Sequence, residues 1–148
     1  IWATYRHNIE RIVKAIRKKH GSFAVVESFY GGTKDLDRTN IIERFKDPKS
    51  DLQYLVANPK TGGYGLNLTV ADTIIYYSNN YDLEVRVQSE DRIHRLGQNN
   101  KCTYIDLQCA GTVDQHIISN LVSKTKISHK VLNEQYKSWI KELKKNYK

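Results

Sequence analysis

Short apolar runs recur along this chain at Ile1–Thr4, Phe23–Val26, Leu52–Ala57, Thr73–Tyr77 and Cys102–Cys109, and segments of helical periodicity separate them. Runs of this length that do not alternate with polar residues are strands covered on both faces. Parallel strands need long crossovers, and helices between strands supply them. The pattern therefore predicts an α/β fold, a parallel sheet flanked by helices, with a C-terminal helical extension. The expected helices are Asn8–Lys19, with Ile9, Ile12, Val13 and Ile16 inward and Gly21 as its stop; one capped by Asp35 or Asp37 and running through Phe45; Leu83–Leu96; one from Val113; and another over Ser128–Lys145. Residues 1–125 read as one α/β lobe and residues 126–148 as a basic amphipathic helix.

A chain of 148 residues, 39% hydrophobic, has enough apolar surface for one core. No stretch approaches the roughly 18 apolar residues of a membrane span, and none reads as a secretory signal. The chain opens on Ile1 and contains no methionine, so it reads as an excised fragment whose N-terminal part is missing. Cys102 and Cys109 fall in a segment that reads as a buried strand and are expected as reduced thiols of an intracellular protein. No paired Cys or His at short spacing suggests a metal site. Net charge is +8 with a pI near 9.4, which favours a polyanionic partner such as nucleic acid. Between Lys124 and Lys148 eight lysines face only Glu134 and Glu142, and Val131, Leu132, Tyr136, Trp139, Ile140 and Leu143 are spaced like one apolar face. That stripe is expected to pack, with the lysines as a secondary, nonspecific contact to nucleic acid.

Ligands of open parallel sheets bind at the carboxyl ends of the strands. Gly31-Gly32-Thr33, Gly62–Gly65 and the loop Ser78–Asp82 emerge there, and glycines let backbone amides approach a phosphate closely. Each is an ordinary turn when taken alone. Arg92 and Arg95 follow, on what the spacing predicts is one helix face, so both guanidiniums can address one anion. Their alternative is a pair of surface salt bridges with Glu90 or Asp91, and Asp91 is expected to pair locally and orient one arginine. His94 lies between them without an accompanying nucleophile and reads as a packing or hydrogen-bonding residue.

Gly62–Thr69 and Gln88–Gln98 resemble motifs V and VI of the Swi/Snf-type ATPases of helicase superfamily 2. The long pattern Gln-x-x-Asp-Arg-x-His-Arg-x-Gly-Gln carries most of that resemblance. Gly31 through Arg38, then Phe45, is similar to the family's Gly-Ser-Thr-x-x-x-x-Arg segment, Ile1–Tyr5 to motif IV, and Gly111–Asp114 to its closing segment. The similarity covers residue 1 to about 125 and implies the C-terminal RecA-like lobe.

The resemblance implies that Arg92 and Arg95 are arginine fingers toward ATP phosphates, with Gln88 lining the same cleft. Gly65 and Asn67 would lie near the ribose and the metal side. Gly31, Gly32, Thr33, Asn58, Lys60 and Thr61 would follow one DNA strand's phosphates, while Arg38 braces its own helix. Two departures stand out. Asn58-Pro59 occupies the place of the family's Ser-Thr, which removes a hydroxyl and an amide, and Lys60 offers a point charge instead. Asn80-Tyr81-Asp82 replaces Trp-Asn-Pro.

Neither Gly-x-x-x-x-Gly-Lys-Ser/Thr nor Asp-Glu-x-His occurs in the chain, so ATP and Mg²⁺ are expected to be held mainly by an N-terminal RecA-like lobe of the same protein. The implied function is one half of a DNA-dependent ATPase and translocase acting on double-stranded DNA without sequence preference. The fragment alone is expected to be inactive. A setting in the cytoplasm of a bacterium or virus-infected cell, or in a nucleus, follows. The competing readings are a non-catalytic nucleic-acid-binding module that kept the lobe fold, and an RNA-directed helicase.

Overall fold

Trp2 lies between two pairs of strands and hydrogen-bonds to the backbone on one side while its neighbours bond on the other. The computed structural model describes residues 1–21, 25–61 and 66–146. Strands β1 (Val26–Phe29) and β2 (Tyr54–Ala57) form one parallel pair, and β3 (Thr73–Tyr76) and β4 (Thr103–Asp106) form another. The Trp2 amide donates to the Ile75 carbonyl at 2.8 Å, and the Tyr77 amide donates to the Trp2 carbonyl at 2.9 Å. On the other side Ala3 N–H donates to Ala57 O at 3.0 Å, and Ala57 N–H to Ile1 O at 2.9 Å. Residues 1–3 thus act as a central strand in the order β1, β2, residues 1–3, β3, β4, all parallel.

The helices are α1 (Arg6–His20), α2 (Asp35–Lys46), α3 (Leu83–Glu90) and α4 (Val113–Asn146). Helix α1 forms because Ile9 and Val13 repeat on one face and are buried, and it stops at Gly21, whose φ of 65° and amide bond to the Arg17 carbonyl at 2.9 Å make a left-handed cap. Two core clusters result. Ala3, Ile9, Val13, Val25, Val26 and Val56 pack under α1. Trp2, Phe29, Leu55, Ala57, Ile74 and Tyr76 pack with Ile41, Leu68 and Ile93 on the opposite side. Successive strand residues point to opposite faces, so Val56 serves the first cluster and Leu55 and Ala57 the second.

Several boundaries differ from the expectations. The second strand starts at Val26, and Phe23 and Ala24, expected to begin it, lie outside the described residues. Lys34 holds the cap position of α2, and Asp35 is the first helical residue; its carboxylate takes the Arg38 guanidinium at 3.1 Å rather than capping. Strand β4 is an edge strand, and Tyr104 and Ile105 are exposed, so the Cys102–Cys109 segment is not buried; Cys109 is itself exposed.

Helix α3 ends at Glu90, short of the expected Leu96. The reason is visible in the backbone: the Arg92 carbonyl accepts from the Leu68 amide at 2.9 Å, a bond that replaces the next helical one. Residues 91–97 continue as turns and bends. In place of two C-terminal helices there is one, α4, 34 residues long. No glycine or proline interrupts Val113–Asn146, and the expected division after residue 125 falls inside this helix.

Candidate functional site

The carboxyl edge of the sheet gathers the segments that follow β1, β2, β3 and residues 1–3. Asn58 organises it. Its amide donates to Phe29 O at 3.1 Å, its Nδ2 to Thr4 O at 2.7 Å, and its Oδ1 accepts from Lys60 N–H at 2.8 Å. The side chain is therefore spent inside the chain, on the shape of the edge. The Thr61 amide closes the turn on the Asn58 carbonyl at 3.1 Å, and Lys60 is exposed. At the next loop Thr33 N–H donates to Tyr30 O at 2.9 Å while Thr33 Oγ1 accepts from Tyr30 N–H at 3.2 Å, which leaves Gly31 and Gly32 exposed at the tip. A Cβ on Gly32 would stand 3.0 Å from the Tyr30 ring, so only glycine sits there without displacing the aromatic. Arg38 donates to Asp35 and to Gly31 O and lies over Phe29, bracing its own helix against this loop.

Arg92 enters this edge from below. It is 6% exposed, its Nη2 donates to Pro59 O at 3.1 Å, and its guanidinium stands 5.1 Å from the Trp2 ring centre. Its Nη1 is buried without a hydrogen-bond partner, and among the described residues no carboxylate forms an ion pair with it. Burial lowers its pKa, with the Tyr76 phenol acting in the opposite direction; an arginine remains cationic all the same. A buried, permanent charge with an unused donor is costly unless an anion completes it.

The shared helix face expected for Arg92 and Arg95 is absent, because the helix ends before both. Arg95 is exposed, so the two guanidiniums occupy different surroundings. Gln88 is exposed on α3 and donates to Glu84 at 2.9 Å, and Asn67 is exposed with its Oδ1 accepting from Thr69 N–H at 3.1 Å. Gly65, with Gly62 and Gly63, lies outside the described residues. Glu90 does not pair with Arg92, and Asp91 forms no ion pair among the described residues.

Glu90 instead serves Arg86, a residue that spacing did not single out. Arg86 donates to Asp106, Glu90 and Asn79, and its guanidinium stacks 3.5 Å from the Tyr76 ring centre. Burial opposes its charge, but the hydrogen bonds it donates to Asp106 and Glu90 outweigh it and hold its pKa above the ordinary value. The four-residue spacing to Glu90 was the one local signal; Asp106 lies 20 residues away. Gln98, the last residue of the motif, latches the turn: its Nε2 donates to the carbonyls of Thr69, Ala71 and Ile93 at 3.2, 2.8 and 3.3 Å.

Residues 1–97 match the helicase conserved C-terminal domain. The chain belongs to that family. Among curated relatives, this helicase C-terminal domain is 33% identical over 102 residues to the SWI/SNF chromatin-remodeling complex subunit snf22 of Schizosaccharomyces pombe, covering 69% of the chain and 6% of the relative. It is 33% identical over 103 residues to the human chromatin-remodeling ATPase INO80, covering 70% and 7%, and 32% identical over 104 residues to the ATP-dependent DNA helicase DDM1 of Arabidopsis thaliana, covering 70% and 14%. The chain thus spans only 6 to 14% of the length of these relatives. Its fold is similar to the crystal structure of the C-terminal part of the Fun30 ATPase domain, with a TM-score of 0.67 and 23% identity over 78% of this chain and 36% of that one. The resemblance to Swi/Snf-type ATPases and the RecA-like fold with its parallel sheet and flanking helices are borne out. Among the described residues of the helicase C-terminal domain, no helix is long and apolar enough to cross a membrane.

Proposed function

We propose that this chain is the second RecA-like lobe of a Swi/Snf-type, DNA-dependent ATPase and translocase, which closes over ATP held mainly by a preceding lobe of the same protein. One observation carries the reading: Arg92 is a buried cation at the carboxyl edge of the sheet, with no ion pair to a carboxylate among the described residues and with Nη1 unused. That is an arrangement an anionic ligand completes. When bound, ATP with Mg²⁺ supplies the γ-phosphoryl group whose transfer releases the free energy. Arg92 would meet its negative charge from a fixed position, and exposed Arg95 would join it as the lobes close. Preorganised positive charge of this kind contributes on the order of 10³–10⁵ in rate.

Gln88, Asn67 and Gly65 would border the nucleotide. Gly31, Gly32, Thr33, Lys60 and Thr61 would meet the phosphates of one strand of double-stranded DNA, with Asn58 shaping the loop that presents them. Phosphate contacts carry no base information, so binding would be independent of sequence and sensitive to salt. Residues 1–125 would form the lobe and residues 126–148 its basic helical extension. Relatives named as chromatin-remodeling and nuclear proteins favour a nuclear setting. The fragment alone would hydrolyse no ATP, because the phosphate loop is supplied from elsewhere.

The test is DNA-stimulated ATP hydrolysis by the intact protein carrying Arg92→Ala or Arg95→Ala. Loss of turnover by at least a factor of about 10³ in each supports the fingers. Near-normal turnover in both removes them. Retained DNA binding by a wild-type protein that hydrolyses no ATP would favour the binding-module alternative.

A further inference from the structure

Positive charge is segregated in this fold. Helix α1 carries six lysines and arginines against the single acid Glu10, whereas residues 21–123 hold ten basic and thirteen acidic residues and are net negative. Within α1, Arg6 pairs with Glu10 at 2.7 Å, and Arg17 approaches Glu27 at 3.8 Å. His7, Arg11, Lys14 and Lys18 are all exposed. At 100° per residue they fall within one narrow stripe, diametrically opposite the buried Ile9 and Val13. Arg11, Lys14 and Lys18 form no ion pair among the described residues.

Lysines in a last helical turn have an ordinary use, since they complement the carbonyl end of the helix dipole. That accounts for Arg17, Lys18 and Lys19. It does not account for Arg11 and Lys14 in the middle of the helix.

We infer that the outward face of α1, Arg11, Lys14 and Lys18 with His7 at its head, is a second contact surface for the backbone of duplex DNA. The choice of DNA as the polyanion rests on the function proposed above; the surface itself rests on charge and geometry. From His7 to Lys18 the stripe runs about 16 Å at 1.5 Å per residue. A major groove is about 12 Å wide, so a stripe of that length reaches phosphates on both of its sides. The stripe is also continuous with the edge already described. The Arg6 guanidinium lies 5.1 Å from the Tyr30 ring centre, Tyr30 holds Thr33, and Asn58 bonds to Thr4 just ahead of the helix. DNA held at Gly31–Thr33 and Lys60–Thr61 would meet α1 as it leaves that edge.

The experiment measures binding of the 148-residue chain to a short DNA duplex by fluorescence anisotropy across a salt series. Arg11→Gln/Lys14→Gln/Lys18→Gln is compared with Lys46→Gln/Lys49→Gln/Lys101→Gln, which removes the same charge from exposed sites elsewhere. Each lost phosphate contact removes about 0.9 from the slope of log K against log salt, so the α1 variant should lose about 2–3 and the control less than about 1. Equal losses in both, or none in the first, overturn the proposal. So does tighter binding to phosphatidylserine vesicles than to DNA, with the α1 variant losing only the vesicles. Should the triple variant fail to fold, Lys14→Gln alone is expected to lower the slope by about 1, and an unchanged slope there refutes the surface. ATP hydrolysis by the intact Arg92→Ala protein reads the motor proposal separately, so each can fail without the other.

Discussion

The hydroxyls of Tyr76 and Ser89 share a hydrogen bond of 2.6 Å in a place that water does not reach, fastening the last residue of β3 to the last turn of α3. Ser89 also reaches the Arg86 carbonyl at 2.7 Å, so the Tyr76 phenol sits inside a closed polar network under the Arg86 guanidinium.

Burial pushes the Tyr76 pKa well above its ordinary value of 10, although the Ser89 bond and Arg86 act against the rise. Below pH 10 the phenol is neutral in both folded and unfolded chain, and its contribution is fully present. Above that, the unfolded chain releases a proton that the folded chain retains, so stability falls as pH rises. Urea midpoints between about pH 8 and 11 should therefore drop more steeply for wild type than for Tyr76→Phe, which itself loses about 1 kcal/mol at the lower pH with the hydrogen bond. Parallel pH profiles would refute this.

Arg86 and Asp106 form the other half of that network, with side chains only 14% and 23% exposed. Removing one partner strands the other. Arg86→Ala or Asp106→Ala is expected to cost about 2–4 kcal/mol in urea unfolding, and a double-mutant cycle should return a coupling of about 1–3 kcal/mol. Additive losses would show that the pair contributes no specific attraction.

Arg92 and Arg95 should part company in stability while agreeing in catalysis. Arg92 holds its guanidinium over the Trp2 ring and donates to Pro59 O, so Arg92→Ala is expected to destabilise the chain by about 1–2 kcal/mol. Exposed Arg95→Ala should stay within about 0.5 kcal/mol of wild type. Equal unfolding midpoints for the two variants would count against the inward position of Arg92.

Gln98 donates to three carbonyls and has a geometry that no carboxylate can copy. Gln98→Ala should cost about 1–2 kcal/mol through the lost bonds, and Gln98→Glu more, because an anion would then face those carbonyl oxygens. Thermal unfolding of the two variants orders them; a glutamate variant as stable as the alanine one would refute the latch.

Local patterns carried much of this fold. The Ile9–Val13 repeat and Gly21 located α1, and the apolar runs at Leu55-Val56 and Ile74-Ile75 located two strands. What failed was a local pattern asked to speak for a distant contact. Arg92 and Arg95 are three apart and suggested a helix face, yet Leu68, which bonds to Arg92 O, diverts the backbone before a further turn can form. Leu96, expected at that helix's end, stands fully in solvent instead. The bonds from Arg92 to Pro59 and from Arg86 to Asp106 span 33 and 20 residues, and no spacing rule within one element reaches that far. The family resemblance found the motif; only the fold shows which of its members are spent on architecture.

The place of Trp2 has a consequence for assembly. Its two flanking partners, Ala57 and Tyr76, lie 55 and 74 positions further along the chain. Neither hairpins nor neighbouring turns can bring those groups together, so the middle of the sheet closes through contacts of long sequence separation, a topology that slows folding. Trp2→Ala leaves the backbone bonds that join the two halves in place but removes the buried indole from the core beside them, and is expected to cost about 3–5 kcal/mol in urea unfolding.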